Sequence, residues 1–128
     1  NICMEITAQR NEFMDNIHNL LTSIGFTNTN EVYEWNRQVR QRGQTIVING
    51  QRMDQPGQTI TIPYRIEIIG DGCVMDEADN IEQEFTQIRF EVNGDVHEEC
   101  FNWDDFAYFE NILKQTPIAI PAPRLRQI

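Results

Sequence analysis

The stretch "TITIPYRIEII", residues 59–69, decides the fold of this chain. Its apolar side chains occupy alternate positions and therefore share one face: Ile60, Ile62, Tyr64, Ile66 and Ile68. This period of two predicts a long β-strand with one buried face and one solvated face. Pro63 lacks the backbone donor that a neighbouring strand would need, so we expect the strand to border a sheet edge at that point. Gly70-Asp71-Gly72 predicts the end of the strand.

A hairpin precedes this strand in the prediction. The run "TIVI", residues 45–48, is β-branched and leads into Asn49-Gly50, a dipeptide typical of tight turns. The following "QRMDQPGQ", residues 51–58, contains Pro56-Gly57 and is interpreted as a loop. The acidic stretch 76–85 is interpreted as irregular, with a possible helical turn.

A second hairpin follows the strand. Ile88, Phe90 and Val92 alternate before Asn93-Gly94. A two-residue loop would set Asp95, His97 and Glu99 beside the apolar face, whereas a three-residue loop would set Val96 and Cys100 there, with Glu98 opposite Phe90. We expect the three-residue loop, because it places more apolar side chains on the apolar face. Glu98 would then lie on that face or at an edge, paired with an arginine such as Arg65.

Helices are expected on both sides of the sheet segments. Residues 7–24 place five apolar side chains on one helical face, and Gly25 supplies a left-handed stop. Residues 31–42 fit a helix through Val32, Trp35 and Val39, but they also fit a strand. We expect the helix. A last helix is predicted from about residue 103 to residue 114, capped by Asn102.

The fold class that follows is α+β. We expect one N-terminal helix, and from the reading of residues 31–42 a second, then an antiparallel β-meander of about four to five strands and a C-terminal helix. Pro117, Pro121 and Pro123 exclude a continuing helix, so the chain should end in an extended tail. Residues 1–116 are predicted to form a single domain and residues 117–128 the tail.

The charge is large and unevenly distributed. The formal net charge is −10, and between Glu67 and Glu110 fourteen carboxylates face a single base, Arg89. Such a chain is a poor ligand for DNA or RNA, because a polyanion is bound by clustered lysines and arginines. It suits a basic protein partner instead. The balance reverses between residues 30 and 66, where arginines outnumber acids.

The cysteines and the apolar runs bear on location. Cys3, Cys73 and Cys100 are an odd number without a repeated spacing, which argues against a disulfide framework and for a reducing compartment. No apolar run reaches the length of a membrane span, and the start of the sequence has no signal-peptide pattern. We therefore expect a cytoplasmic protein without a membrane partner.

No catalytic or metal motif is present. His97, Cys100 and Cys73 lack the spacing of a zinc site, and the acidic residues 71–85 do not match a calcium loop. Neither a nucleophile motif nor a phosphate-binding loop occurs. The sequence therefore predicts a protein that is not an enzyme and has no cofactor, although a metal-dependent carboxylate site of an unfamiliar kind remains an alternative.

Three hypotheses of function remain. The first, which we favour narrowly, is an inhibitor, adaptor or mimic of nucleic-acid charge that engages a basic protein through an acidic face. The residues assigned to that face are Asp71, Asp76, Glu77, Asp79, Glu98, Glu99, Asp104 and Asp105.

The second hypothesis is a homo-oligomeric assembly protein that uses the sheet edge near Pro63 and the tail. The docking residues assigned to the tail are Ile118, Ile120, Arg124, Leu125 and Arg126. The third is a binder of a small anionic ligand, held by stacking and guanidinium contacts at Tyr33, Trp35, Arg37 and Arg40. The alternative for the same segment is that Trp35 fills the core and the arginines complement the acidic half, within the molecule or across a dimer.

Overall fold

The computed structural model describes residues 8–115, and within them two helices and seven strands follow one another along the chain. The elements are α1 (Ala8–Ile24), β1 (Thr27–Thr29), β2 (Val32–Gln41), β3 (Gln44–Ile48), β4 (Gln51–Gln55), β5 (Gln58–Met75), β6 (Ile81–Val92), β7 (Asp95–Asn102) and α2 (Phe106–Lys114). The predicted α+β class with an antiparallel sheet is confirmed. The predicted tail, residues 117–128, lies outside the described residues, as do residues 1–7.

The main sheet has five antiparallel strands in the order β1-β2-β5-β6-β7. The strand predicted from residues 59–69 is β5, and it lies at the centre of the sheet. Its buried face carries Tyr64, Ile66 and Ile68, and both helices pack on that side. Phe13, Ile17, Leu20, Leu21 and Ile24 of α1 are buried as predicted, and α2 contributes Phe109, Ile112 and Leu113. The opposite face of the sheet is not covered by either helix.

The strand β5 does not end at Gly70, as the sequence predicted. Its pairing with β6 shifts register between Ile68 and Gly70 and continues to Met75. The extra residue at this bulge is Ile69, which is exposed. The bulge exchanges the two faces of the strand, so Asp71 lies opposite the buried Thr86 rather than on the uncovered face. The irregular segment expected at residues 76–85 is likewise shorter, because strand β6 begins at Ile81.

The helix expected at residues 31–42 is wrong, because this segment is strand β2. It pairs with β5 along its whole length, from Val32 opposite Glu67 to Gln41 opposite Gln58. Tyr33 is buried, Glu34 is exposed and Trp35 is half-buried, which is the alternation of a strand. The pairing is with residues far along the chain, so the neighbouring apolar strand decides the conformation and the local helical spacing does not.

The predicted three-residue loop between β6 and β7 is also wrong. Val92 pairs with Asp95, so the loop consists of Asn93 and Gly94 alone, and both have positive φ angles of 51° and 93°. This is the geometry for which an Asn-Gly turn is selected. As a result His97 lies opposite Phe90, and Glu98 lies opposite Arg89 on the uncovered face.

The helix ends follow local chemistry, although one cap was assigned to the wrong residue. Gly25 has a φ angle of 131°, and the backbone N–H groups of Gly25 and Phe26 both donate to the carbonyl of Leu21, which confirms the predicted stop of α1. The N-cap of α2 is Asp105, whose side chain accepts a hydrogen bond from the Tyr108 N–H at 3.2 Å. The expected cap Asn102 instead ends strand β7.

The strands β3 and β4 extend the β2–β5 pair into one projecting ribbon. Gln41 pairs with Gln58 and Gln44 with Gln55, so the register is the same on both sides of the break at residues 42–43 and 56–57. The two segments of the ribbon approach closely there, since a Cβ added to Gly43 would lie 2.7 Å from the carbonyl oxygen of Gln55. Residues 51–55, interpreted as loop from the sequence, are therefore a strand. We call residues 36–63 the arm.

The arm leaves the body of the molecule at Pro63. Pairing of β5 with β6 begins at Tyr64, so from Pro63 outwards β5 pairs only with β2, and the predicted edge at this position is confirmed. From there to the turn at Asn49, a strand pair of this length reaches roughly 40 Å. Nine of the ten residues of β3 and β4 are exposed, so the arm has no core of its own.

Candidate interaction surfaces

The eight carboxylates predicted to form one acidic face do not lie together. Asp76, Glu77 and Asp79 lie in the turn between β5 and β6, and Asp104 and Asp105 lie in the turn before α2. Both turns are at the same end of the sheet. Asp71, Glu98 and Glu99 lie on strands, and because Glu98 and Glu99 are consecutive they face opposite sides of the sheet.

Asp71 belongs to the packing of α1 against the sheet. Its carboxylate accepts hydrogen bonds from Arg10 Nε at 2.7 Å and from the hydroxyl of Thr86 at 2.7 Å. The Thr86 oxygen in turn accepts a hydrogen bond from Trp103 Nε1 at 2.8 Å. This series of hydrogen bonds satisfies the hydroxyl of the fully buried Thr86, so Asp71 has a structural role.

Glu98 lies in a row of charges on the uncovered face of the sheet. It accepts hydrogen bonds from Arg89 Nε at 2.8 Å and from the Gln87 side chain at 3.1 Å, and Arg89 also reaches Glu67 at 3.1 Å. The hydrogen bond and the charge of Glu98 raise the pKa of the Arg89 guanidinium. The partner expected for Glu98, Arg65, instead contacts Glu67 at 3.1 Å.

Glu99 faces the helices and is held by two side chains. The Tyr108 hydroxyl of α2 donates to it at 2.5 Å, and His97 Nε2 lies 2.6 Å from its other oxygen. The hydrogen bond from Tyr108, followed by that from His97, holds the pKa of Glu99 below its ordinary value, and the same bond raises the pKa of Tyr108. Glu99 therefore ties β7 to α2.

A concentrated acidic surface is found at one end of the sheet. We call it the acidic end, and its seven carboxylates are Asp76, Glu77, Asp79, Glu82, Glu84, Asp104 and Asp105. The Asp76 carboxylate accepts from the backbone N–H groups of Asn80 and Ala78, and these bonds lower its pKa. A cavity of about 210 Å³ beside Glu82, Glu84 and Asp104 is lined mainly by polar groups. No group of three metal-ligating side chains occurs within residues 8–115.

Of the four residues predicted to bind a small anion, Tyr33, Trp35 and Arg37 share one face of β2, where contacts within the chain engage them. Tyr33 is buried, its hydroxyl lies 3.0 Å from His18 Nδ1, and burial raises its pKa. Trp35 packs between Phe26 and Tyr64. Arg37 lies over the Trp35 ring, 6.0 Å from its centroid, and donates to the Tyr64 hydroxyl at 3.0 Å.

Arg40 lies on the other face of the ribbon, three positions from Arg37. A cavity of about 520 Å³ beside Trp35 is lined by Glu34 and Glu91 as well as by Arg65, which makes it a poor place for an anion. The alternative that we had set beside this hypothesis, a structural role for Trp35, agrees with these contacts.

The arm carries the opposite charge from the acidic end. Four arginines and one acid, Asp54, lie between residues 36 and 63: Arg37, Arg40, Arg42 and Arg52. Its outer half also exposes apolar side chains, with Val47 66% exposed, Met53 50% and Ile48 48%. The arm and the acidic end lie at opposite ends of the 18-residue strand β5, which is roughly 55 Å long.

Sequence reasoning found β3 but not the arm. One sequence pattern could have indicated the arm, namely the symmetry about Asn49-Gly50. The segments on the two sides of this turn have equal length, and they are bounded by Gly43 on one side and by Pro56-Gly57 on the other. The apolar run "TIVI" predicts only a short strand that leads into the Asn49-Gly50 turn. Exposure could not be inferred from it, because exposure depends on where the neighbouring strands end.

The edge of the sheet at β7 is the other open element. No strand among residues 8–115 pairs with its outer side, whereas the opposite edge is the three-residue strand β1. Since Val92 and Asp95 flank a two-residue turn, alternate residues of β7 direct their backbone groups outwards, namely Val96, Glu98 and Cys100. Val96 is 56% exposed, so the packing predicted for it and for Cys100 is wrong.

Two further predictions concern the tail and the cysteines. The docking residues assigned to the tail, from Ile118 to Arg126, lie outside the described residues.

Cys100 is free and exposed, but Cys73 is disulfide-bonded. This disulfide bears on the prediction of a reducing compartment, because disulfides persist mainly in oxidising environments, and the compartment stays a prediction.

Comparison of the chain with protein-family models, with curated proteins and with solved structures finds no match. None of the helices described is long and apolar enough to cross a membrane.

Proposed function

We propose that this protein is a non-catalytic assembly protein, and that the arm is the element through which copies of the chain associate. The observation that carries the proposal is the arm itself. Its outer strands bury almost nothing within one copy, yet they expose Val47, Ile48 and Met53 along a β-branched, regularly paired ribbon. Ile48 and Met53 share one face of the ribbon and Val47 lies on the other, and apolar side chains exposed along an uncovered strand pair are typical of a contact surface.

Charge supports a second copy of the chain as the partner. The arm has an excess of three positive charges within a protein of net charge −10, so the remainder of each copy is strongly negative. An arm that approaches the body of another copy is attracted, whereas two arms or two bodies repel each other. Association should therefore weaken as the salt concentration rises.

The second candidate function is that of an acidic module that binds a basic partner protein. The acidic end favours it, because several of its carboxylates, including Glu77 and Asp104, are exposed. The other residues once assigned to that surface, Asp71, Glu98 and Glu99, are engaged in bonds within the chain. For this reason we place it after assembly.

The proposal is tested by light scattering after size exclusion, at several protein concentrations and at low and high salt. We expect the full chain to be oligomeric, and a variant in which residues 44–55 are replaced by Asn-Gly to be monomeric. The replacement keeps a two-residue turn and removes no buried residue, so the thermal unfolding temperature of the body should be retained. An arm-replaced chain that stays oligomeric contradicts the proposal.

A chain that ends at Thr116 serves as the matched comparison, because the sequence also assigns docking to the tail. Loss of assembly in this chain alone would assign the contact to residues 117–128. Retention of assembly, together with its loss on arm replacement, is what we expect.

The cytoplasmic location stays a prediction. The disulfide at Cys73 counts against it, since disulfides persist mainly in oxidising environments. Free-thiol titration of purified protein under denaturing conditions, before and after reduction, would measure how many cysteines are oxidised.

A further inference from the structure

We infer that strand β3 of one copy adds to the free edge of strand β7 of a second copy, so that the five-stranded sheet of each copy is continued by the arm of its neighbour. This inference rests on the proposed function and identifies the surface that receives the arm. It would make the assembly head-to-tail, because the donating strand and the receiving edge are different parts of the chain.

The donor is a strand that natural proteins rarely leave uncovered. Residues 45–48, Thr-Ile-Val-Ile, are uncharged and all β-branched. Strand β3 pairs with β4 on one side, and no strand among the described residues pairs with its other side. The turn at Asn49-Gly50 sets the ladder with β4 so that Thr45 and Val47 direct their backbone groups outwards. An exposed edge strand of this composition pairs readily with another chain.

The receiver is the longer of the two sheet edges. Strand β7 has eight residues, and Val96, Glu98 and Cys100 direct backbone N–H and C=O groups away from β6. A strand added there would form main-chain hydrogen bonds, the mode of recognition known as β-augmentation. The opposite edge is less suitable, because strand β1 has only three residues.

Charge selects this pairing over the symmetric ones. Strand β7 contains three carboxylates, Asp95, Glu98 and Glu99, and neither lysine nor arginine. Glu98 and Glu99 are engaged in ion pairs and hydrogen bonds within the chain, so among the described residues Asp95 is the β7 carboxylate without an ion pair. Two β7 edges brought together would therefore repel each other. Two arms would repel each other through arginines such as Arg42 and Arg52, which flank β3 or lie opposite it. The arm on β7 is the combination that brings unlike charges together. The charge repulsion that disfavours the two symmetric dimers therefore favours the head-to-tail contact.

The sharpest test uses two defective variants that repair each other. The arm-replaced chain keeps the receiving edge, and Val96→Pro keeps the arm but loses an outward N–H group at that edge. A proline is tolerated where its missing donor faces solvent, so this substitution should leave the β6–β7 ladder intact. We expect each variant alone to be monomeric, and their mixture to give a species of one copy of each.

The controls separate the backbone from the side chain and guard against misfolding. Val96→Ala removes most of the side chain but keeps the N–H group, so we expect its apparent dissociation constant to change less than that of Val96→Pro, for which we expect a rise of at least about tenfold. Amide hydrogen exchange on the unmutated chain needs no substitution. The outward amides of Val96 and Cys100 should be protected in the oligomer and exchange fast in the arm-replaced chain, whereas those of His97 and Glu99 should be protected in both.

Each outcome has one meaning. If arm replacement abolishes assembly but Val96→Pro does not, and the outward amides of β7 exchange fast in the oligomer, the inference is overturned and the proposed function stands. A Val96→Pro chain that associates as tightly as the wild-type chain and stops at a dimer indicates arm-to-arm pairing, which also overturns the inference. A full chain that is monomeric at every concentration, or assembly that survives arm replacement, overturns both.

Discussion

Strands β2 and β5 form one continuous ribbon, and its two halves have opposite environments. In the inner half, Tyr33, Tyr64 and Ile66 are at most 5% exposed beneath the two helices. In the outer half the same pairing register continues, but almost every side chain is in solvent. The backbone pairing is thus the same where burial is complete and where it is nearly absent. The comparison separates what hydrogen bonding specifies, which is register, from what burial specifies, which is stability.

The largest expected effect contrasts one substitution at two places on this ribbon. Ile66→Ala truncates a side chain that is 1% exposed and leaves a cavity, so it should lower the free energy of unfolding by about 2–5 kcal/mol. Ile48→Ala, at a position 48% exposed, should change it by less than about 0.5 kcal/mol. Urea unfolding at low protein concentration measures both. A comparable loss at Ile48 would mean that the arm is covered within a single copy.

The second effect contrasts two threonines on the same sheet. Thr86→Val leaves Asp71 without its hydroxyl donor and Trp103 Nε1 without its acceptor, so we expect a loss of about 1–3 kcal/mol. Thr61 of the arm donates to the exposed Gln38 side chain at 3.2 Å, and Thr61→Val should be nearly neutral. Equal effects in chemical denaturation would contradict the view that only the body contains an energetically important polar network.

The third effect sharpens the same contrast through pH. Because Tyr108 and His97 lower the pKa of Glu99 in the folded protein, its ionised form stabilises the fold above the pKa of the unfolded chain, which is about 4.3 for a glutamate. That contribution is lost as the pH falls through the lower, folded-state pKa. Melting temperatures of the wild-type chain and of Glu99→Gln should therefore differ at neutral pH and converge in acid. A difference that is independent of pH would exclude this role for the Glu99 charge.

The smallest effect concerns the joint between the two halves. An alanine at Gly43 would place its Cβ within 3 Å of backbone atoms of Gln55 and Gly57, so the chains must separate there. We expect Gly43→Ala to leave the melting temperature of the body within a few degrees, while the amides of β3 and β4 exchange faster. Gly50→Ala at the turn provides a comparison, since its Cβ would meet no atom within 4 Å and only the positive φ is strained.

The sequence predicts the parts of this fold that depend on local chemistry. The helix α1 and the strand β5 follow from strong periodicity, and both Asn-Gly turns lie where their dipeptides indicate. The errors have physical causes. At residues 93–95 the preference of Asn-Gly for positive φ outweighs the gain from burying Val96 and Cys100. At residues 31–42 the spacing of Val32, Trp35 and Val39 fits both periods, and only the distant β5 decides between them.

The candidate surfaces were harder to predict than the fold. The bulge at Ile69 places Asp71 on the buried face of the sheet. No residue pattern in the sequence predicts on which face the side chains after a bulge will lie. The partners of Glu98 and Glu99 depend on the register of β6 and β7, which a single residue in the turn reverses. The net charge and the asymmetry between acidic and basic segments could be read directly, whereas their location at opposite ends of β5 required the strand order.

The uniform register of the ribbon has a consequence for how this protein can change over evolutionary time. A matched loss or gain of two residues in each strand of the arm would keep every side chain on its own face and leave the pairing in the body untouched. Each such step alters the reach of the arm by roughly 7 Å. The arm is in this sense an adjustable spacer, whose length can vary independently of the core that anchors it.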